Sequence, residues 1–117
     1  MSRRSERVAE AIRREASLLM EHQLKDPRIG FITITKATIT EDLRNAVIYY
    51  SVLGEEKAKK LAKKGLASAL PFIKNKIAGI LKLRYAPDIK FKVDDALDYV
   101  ARIEDVLKKI KEEKKEK

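Results

Sequence analysis

The side chains of this chain that could carry chemistry are overwhelmingly cationic, and their spacing is uneven. Between Lys57 and Lys92 there are eleven Lys and Arg residues and a single acid, Asp88. Residues 1–56 balance nine bases with nine acids, and residues 93–117 hold seven bases and eight acids, so the net charge of +9 resides in the central third. A surface charged only for solubility mixes its signs, whereas a one-signed segment sets up a field that attracts a polyanion. Lys74, Lys76, Lys82, Arg84, Lys90 and Lys92 are the candidates for neutralising phosphates, a contact that carries affinity but little base preference. Arg3, Arg4 and Arg7 make a second candidate patch. Lys59, Lys60, Lys63 and Lys64 read equally well as the solvated face of a helix, and Tyr49 as a sheet-packing residue or a base-stacking one. Nucleic acid is the favoured partner. A solvated basic surface, an anionic membrane surface and an acidic protein are the alternatives.

Catalytic chemistry finds little to work with. There is no cysteine, which removes disulfides, thiolate metal sites and thiol catalysis, and one histidine, His22, which removes a multi-histidine site. The acid pairs Glu41/Asp42, Glu55/Glu56 and Asp94/Asp95 are sequence neighbours at turns or element ends, not facing pairs. No phosphate-binding glycine motif is present. The expectation is a binding protein, not an enzyme, with no metal and no cofactor.

The elements that must position the cations follow from periodicity. Residues 5–24 carry Val8, Ile12, Ala16, Leu19 and Met20 at helical spacing, with Ser5 as the expected N-cap. "KDPRIG" stops that helix, because Pro27 disfavours helical geometry at Asp26. "FITITKATIT" (Phe31–Thr40) reads as a strand whose alternation slips, which predicts a bulge near Lys36. After the turn "EDLRN", residues 46–53 form a second strand that pairs with the first as a hairpin. Ala46, Ile48, Tyr50 and Val52 share one of its faces; Val47, Tyr49 and Ser51 share the other.

Helical spacing resumes with Leu61, Ala62, Leu66, Ala69 and Leu70, and again after Pro71 with Ile73, Ile77, Ile80 and Leu81. A proline removes a backbone donor and clashes with the preceding turn, so two helices separated by a break at Pro71 are predicted. Ile89, Phe91 and Val93 alternate with Lys90 and Lys92 in a third strand, which places both lysines off the core side or at an edge. Val100, Ile103, Leu107 and Ile110 suggest a last helix, followed by a charged tail, 111–117, expected to lack fixed structure. A single domain over residues 1–110 results, an α+β sandwich with helices on one face of a three-stranded sheet. No apolar run approaches the roughly 20 residues of a membrane span. The N-terminus has no secretory apolar segment. Together these point to a cytoplasmic protein.

A loop clamped between two helices, followed by a strand, is the logic of KH domains, which grip a nucleic-acid backbone with a GxxG loop. Gly65 and Gly79 stand alone, and the expected break reads Ala69-Leu70-Pro71. Four stretches together resemble the ribosome-binding factor A family of bacterial small-subunit assembly factors. They are "RSERVAEAIRRE" (Arg4–Glu15), "LKDPRIGFITIT" (Leu24–Thr35), "DLRNAVIYYSVLG" (Asp42–Gly54) and "ALPFIKNKIAGILKLRYAPDIKFKVDDA" (Ala69–Ala96). The resemblance implies a type II KH-like domain in which a helix-kink-helix replaces the GxxG loop. The usual kink is Ala-x-Gly, matched here by Ala69, Leu70 and Pro71 with proline in place of glycine. It also implies binding to the free 30S ribosomal subunit and 16S rRNA, promotion of late maturation and 16S rRNA 5′-end processing without catalysis, a role in cold adaptation, and a monomer. A generic KH-type single-stranded RNA binder and a protein-docking module are the competing readings. The absence of GxxG and the scarcity of aromatics weigh against the former.

Overall fold

The computed structural model describes residues 2–22, 32–94 and 107. Helix α1 (Arg3–His22) leads into strands β1 (Ile32–Ile39) and β2 (Asn45–Val52), helix α2 (Glu56–Ile80) and strand β3 (Asp88–Val93). The Asp26–Gly30 turn, the terminal helix expected near Val100–Ile110 apart from the helical Leu107, and the tail 111–117 lie outside the described residues.

Helix α1 starts earlier than its apolar stripe suggests. Ser2, not Ser5, is the cap: its hydroxyl oxygen accepts from the Ser5 amide at 3.2 Å, and its carbonyl accepts from the Ser5 hydroxyl at 2.9 Å. Ser5 is fully buried with Ala9, Ile12, Ala16 and Leu19. A small hydroxyl that returns its hydrogen bond to the preceding turn can sit on a core face at little cost. The consequence is that Arg3 and Arg4 belong to the first helical turn and have fixed positions.

The sheet has the order β1-β2-β3, with β1 and β2 antiparallel and β2 and β3 parallel. The bulge expected near Lys36 is present between Ile34 and Lys36. Without it a period-2 strand would turn half of its isoleucines outward. With it, Ile32, Ile34, Ala37 and Ile39 oppose Val52, Tyr50, Ile48 and Ala46, all on the helix-covered face. The extra residue, Thr35, donates its hydroxyl proton to Asp94 Oδ2 at 2.7 Å, while the Asp94 amide donates to the Tyr50 carbonyl at 2.8 Å. These bonds tie β1 to the end of β3 across β2.

The parallel pairing of β3 needs a long crossover, which α2 supplies. The expectation of two helices parted at Pro71 is not met: α2 is one helix of 25 residues with Pro71 inside it. The proline costs one hydrogen bond and a clash, about 3 kcal/mol in an isolated helix. On both sides of it, however, Leu66, Ile73 and Ile77 are almost fully buried against the sheet, with Ala69 and Leu70 packed beside them. That apolar face spans the proline and holds the two halves in one helical register. Pro71 itself is exposed. It lies on the solvent side, where helices wrapping a core already lengthen their hydrogen bonds.

Buried residues of α1 and α2 meet Ile34, Ile39, Ala46, Ile48, Tyr50 and Ile89 in one core on one face of the sheet. Tyr50 is buried edge-on to Phe91, with ring centroids 6.3 Å apart, and burial raises its phenol above the ordinary value. Tyr49, one residue earlier, is half-buried on the other face, as alternation requires.

Candidate nucleic-acid interface

Three connections meet at one end of the sheet: the start of α1, the β1–β2 turn and the α2–β3 connection. They enclose a groove of about 650 Å³ whose lining includes Arg4, Arg44, Lys82, Arg84 and Tyr85. Local chemistry fixes each wall. In the β1–β2 turn, Asp42 accepts from the Thr40 hydroxyl at 2.6 Å and from the Arg44 amide at 3.1 Å, and Leu43 adopts φ 61°. The Thr40 hydroxyl, followed by the Arg44 amide, holds the Asp42 carboxyl below its ordinary pKa. Glu41 accepts from the Ser2 amide at 2.8 Å, which joins this turn to the start of α1. Both rim acids are therefore held by local hydrogen bonds, and none of Arg4, Arg44, Lys82 and Arg84 forms an ion pair among the described residues, although the Arg44 charge is felt by the Asp42 carboxylate.

The far wall is built by the way α2 ends. The Leu83 amide donates to the Ala78 carbonyl at 3.1 Å and the Lys82 amide to the Gly79 carbonyl at 3.3 Å. These are the paired bonds of a Schellman motif, whose turning residue takes the left-handed conformation and is usually glycine. Here that residue is Lys82, at φ 52°. A side chain in this region costs on the order of 1–2 kcal/mol relative to a right-handed conformation, and such strain concentrates at functional positions. Two residues on, the Arg84 guanidinium lies 5.5 Å from the Tyr85 ring centroid, and that of Arg44 lies 5.4 Å from it. The Asp88 amide donates to the Arg44 carbonyl at 2.8 Å, and Pro87 is fully buried, so the connection is anchored to β2.

The sequence candidates divide among several surfaces. Arg4, Lys82 and Arg84, which fell in two separate patches in the sequence, come together in the groove. Arg3 and Arg7 lie on the outer side of α1 around a shallow recess that also contains Glu6, Glu10 and Arg14. Its charge is mixed, and Glu10, held below its ordinary pKa chiefly by its hydrogen bond to Arg13, is already paired. Lys74 forms an ion pair with Asp88 at 3.1 Å, the one acid of the basic segment. Lys76 is exposed, 5.7 Å from the Phe72 ring centroid. Lys90 and Lys92 lie on the edge strand β3, and with Lys63 they line a second groove of about 330 Å³ floored by Leu66, Leu70 and Phe91. Ala69 and Leu70 pack on the core while Pro71 faces solvent.

Three residues escaped the sequence reading. The sequence marks Arg44 only as part of a turn and Lys36 only as the site of a bulge, and it gives Tyr85 no role of its own. Lys36 lies 4.5 Å from the Tyr49 ring centroid on the open face, with Lys92 in register on the other side of Tyr49. The signal that could have found Arg44 is the parallel register. Asn45 pairs with Asp88, so the residues just before each strand, Arg44 and the Arg84–Pro87 segment, must be neighbours.

What this arrangement can do is bind anions. Four cations on three anchored segments face one groove, and the first turn of α1 adds the positive end of a helix dipole. Their spread suits successive phosphates of a folded backbone better than one small ion.

Comparison with known proteins gives a consistent result. The family model described as "Ribosome-binding factor A" matches residues 4–107. A protein of that name from Geobacter sulfurreducens is 47% identical over 114 residues, covering 97% of this chain and 97% of its own. The solution structure of a Thermotoga maritima protein titled a putative ribosome binding factor A superimposes with a TM-score of 0.67 at 30% identity, over 79% of this chain and 88% of that one. A Thermus thermophilus homology model, fitted into a cryo-EM map of a 30S complex, superimposes with a TM-score of 0.59 at 20% identity, over 72% of this chain and 88% of that one. The α+β fold described above is thus the KH-like fold of those structures.

Proposed function

The chain belongs to the ribosome-binding factor A family, and on that footing we propose that it binds the free 30S ribosomal subunit through 16S rRNA and promotes its late maturation. In this reading the protein shapes the rRNA near its 5′ end while a separate nuclease cuts, and the activity supports growth in the cold. It acts in the cytoplasm as a monomer. The observation that carries the reading is the groove itself: Arg4, Arg44, Lys82 and Arg84 converge from three segments while the acids at its rim are engaged elsewhere. A sequence-distant set of cations that form no ion pair among the described residues supports contact with a composite rRNA surface. Lys90 and Lys92 on the edge strand, and Lys76 on α2, extend the contact. Arg3 and Arg7 contribute long-range attraction. Lys74 orders Asp88 and adds less, since its charge is already paired. The Ala69-Leu70-Pro71 segment sets the path of α2 and so the position of the groove's far wall.

The reading is tested by co-sedimentation with purified free 30S subunits, intact ribosomes and naked 16S rRNA at low and moderate salt. Retention on free 30S subunits alone at moderate salt is the expected result. Equal binding to all three that fades together with salt would reduce the protein to a non-specific RNA binder of KH type.

A further inference from the structure

We infer that Tyr85, set beside the guanidinium groups of Arg44 and Arg84, is a stacking platform for one unpaired RNA base, with the two arginines holding the phosphates that flank it. The inference rests on the RNA-binding reading above and adds to it a specific residue and a specific state of the ligand, a base outside a duplex.

Tyr85 is not part of the hydrophobic core or of the residues packed against it. The residue is 55% exposed, in contrast to Tyr50, which is 3% exposed in the core. Its described ring contacts are with two cations, at 5.4 and 5.5 Å. It stands on a ridge between two recesses, the 650 Å³ groove and a smaller one of about 320 Å³ lined by Arg44, Tyr85, Ala86 and Asp88. The ridge is held rigidly: Pro87 is buried, the Asp88 amide bonds to Arg44, and the Schellman turn fixes the chain just before Arg84.

An exposed ring costs apolar surface, and two guanidiniums beside one ring repel each other. Both costs are relieved by one ligand, an aromatic group attached to anionic groups on either side, which describes a nucleotide within a strand. A base that stacks on the ring takes the place of a guanidinium there, and the displaced arginine is left beside that nucleotide's own phosphate. Stacking on an aromatic side chain combined with backbone neutralisation is how single-stranded RNA is held, and an unpaired base is required because a duplex hides its faces.

The test uses the absence of tryptophan from the chain. Tyr85→Trp introduces a single tryptophan at the platform, excited selectively over the remaining tyrosines. Its emission should be quenched on addition of free 30S subunits, with affinity close to that of the unsubstituted protein. Tyr85→Ala should weaken binding by about tenfold or more, the loss expected for one base stack, whereas Tyr85→Phe should bind normally. The log–log salt slope separates the roles: Tyr85→Ala should leave it unchanged, while Arg84→Ala should lower it by about 0.7–0.9 for the lost phosphate. Tyr85 lies on the surface, so circular dichroism of each variant should match that of the parent. Normal binding by Tyr85→Ala overturns the platform and leaves the RNA-binding reading standing. A loss in Tyr85→Phe equal to that in Tyr85→Ala also overturns it, because the hydroxyl would then be the active group. Failure of the unsubstituted protein to bind free 30S subunits defeats both.

Discussion

Lys82 offers a test in which stability and binding should move in opposite directions. It occupies the left-handed position of the Schellman turn at φ 52°, where a β-carbon is disfavoured, and its ammonium group lines the groove. Glycine at this position removes the steric penalty but loosens the unfolded chain, so the net gain should be about 1 kcal/mol. For a domain of this size that corresponds to a rise in melting temperature of about 4 °C. Lys82→Ala is the control, since it deletes the same charge while retaining the strained backbone. Thermal unfolding followed by circular dichroism should therefore rank Lys82→Gly above the unsubstituted protein and Lys82→Ala close to it. Binding to free 30S subunits across a salt series should show the same loss for both variants, with a slope reduced by about 0.7–0.9. A Lys82→Gly variant no more stable than Lys82→Ala would refute the strain argument. Wild-type binding by both would remove Lys82 from the interface.

Other substitutions probe the elements that hold the groove. Gly54 has φ 131°, and a β-carbon there would lie 2.9 Å from that of Ala58, so Gly54→Ala should destabilise the fold by about 1–3 kcal/mol, read by urea unfolding. Pro71→Ala restores a helix donor on an exposed face and should stabilise by about 1–3 kcal/mol. If the path of α2 at Pro71 positions the groove, the same variant should bind 30S subunits more weakly, and unchanged affinity would remove that role. Asp42 is held below its ordinary value of 3.8, so its turn is stabilised above that pH and loses the contribution as pH falls through the lower folded value. The Arg44 amide resonance should accordingly titrate with a midpoint below 3.8; a midpoint at or above it would mean that the Asp42 bonds are not made in solution.

The fold was legible where its determinants are local. The parity slip in "FITITKATIT" required a bulge, and the bulge lies at Lys36. Alternation in β2 separated Tyr50 from Tyr49 correctly. Two local readings failed for identifiable reasons. The apolar stripe starts after Ser5 and so marks it as the cap, but a serine two residues into a helix can bury its hydroxyl against the preceding turn, and Ser2 supplies the cap instead. Pro71 was read as a break because the local cost is real, but burial of Leu66, Ile73 and Ile77 on both sides outweighs it. The site was legible only in part. The excess of charge marked the central third of the chain as the candidate region, and Lys82 and Arg84 from it line the groove. Their union with Arg4 and Arg44 depends on the parallel pairing of β3 with β2 and on the Ser2–Glu41 bond, which are contacts between distant segments that no local pattern encodes. The ion pair of Lys74 with Asp88 was hidden for the same reason, since the two residues meet only across the fold.

The claim that the groove, and not the longer lysine face of α2, engages the ribosomal RNA is the centre of the account. It is tested most directly by the salt dependence of binding to free 30S subunits for two quadruple alanine variants. One replaces Arg4, Arg44, Lys82 and Arg84; the other replaces Lys57, Lys60, Lys63 and Lys64 on the exposed N-terminal half of α2. The account predicts that the groove variant loses about three units of log–log slope and most of its affinity, while the helix-face variant loses little of either. A helix-face variant that loses more slope than the groove variant would contradict it and move the interface to the outer side of α2.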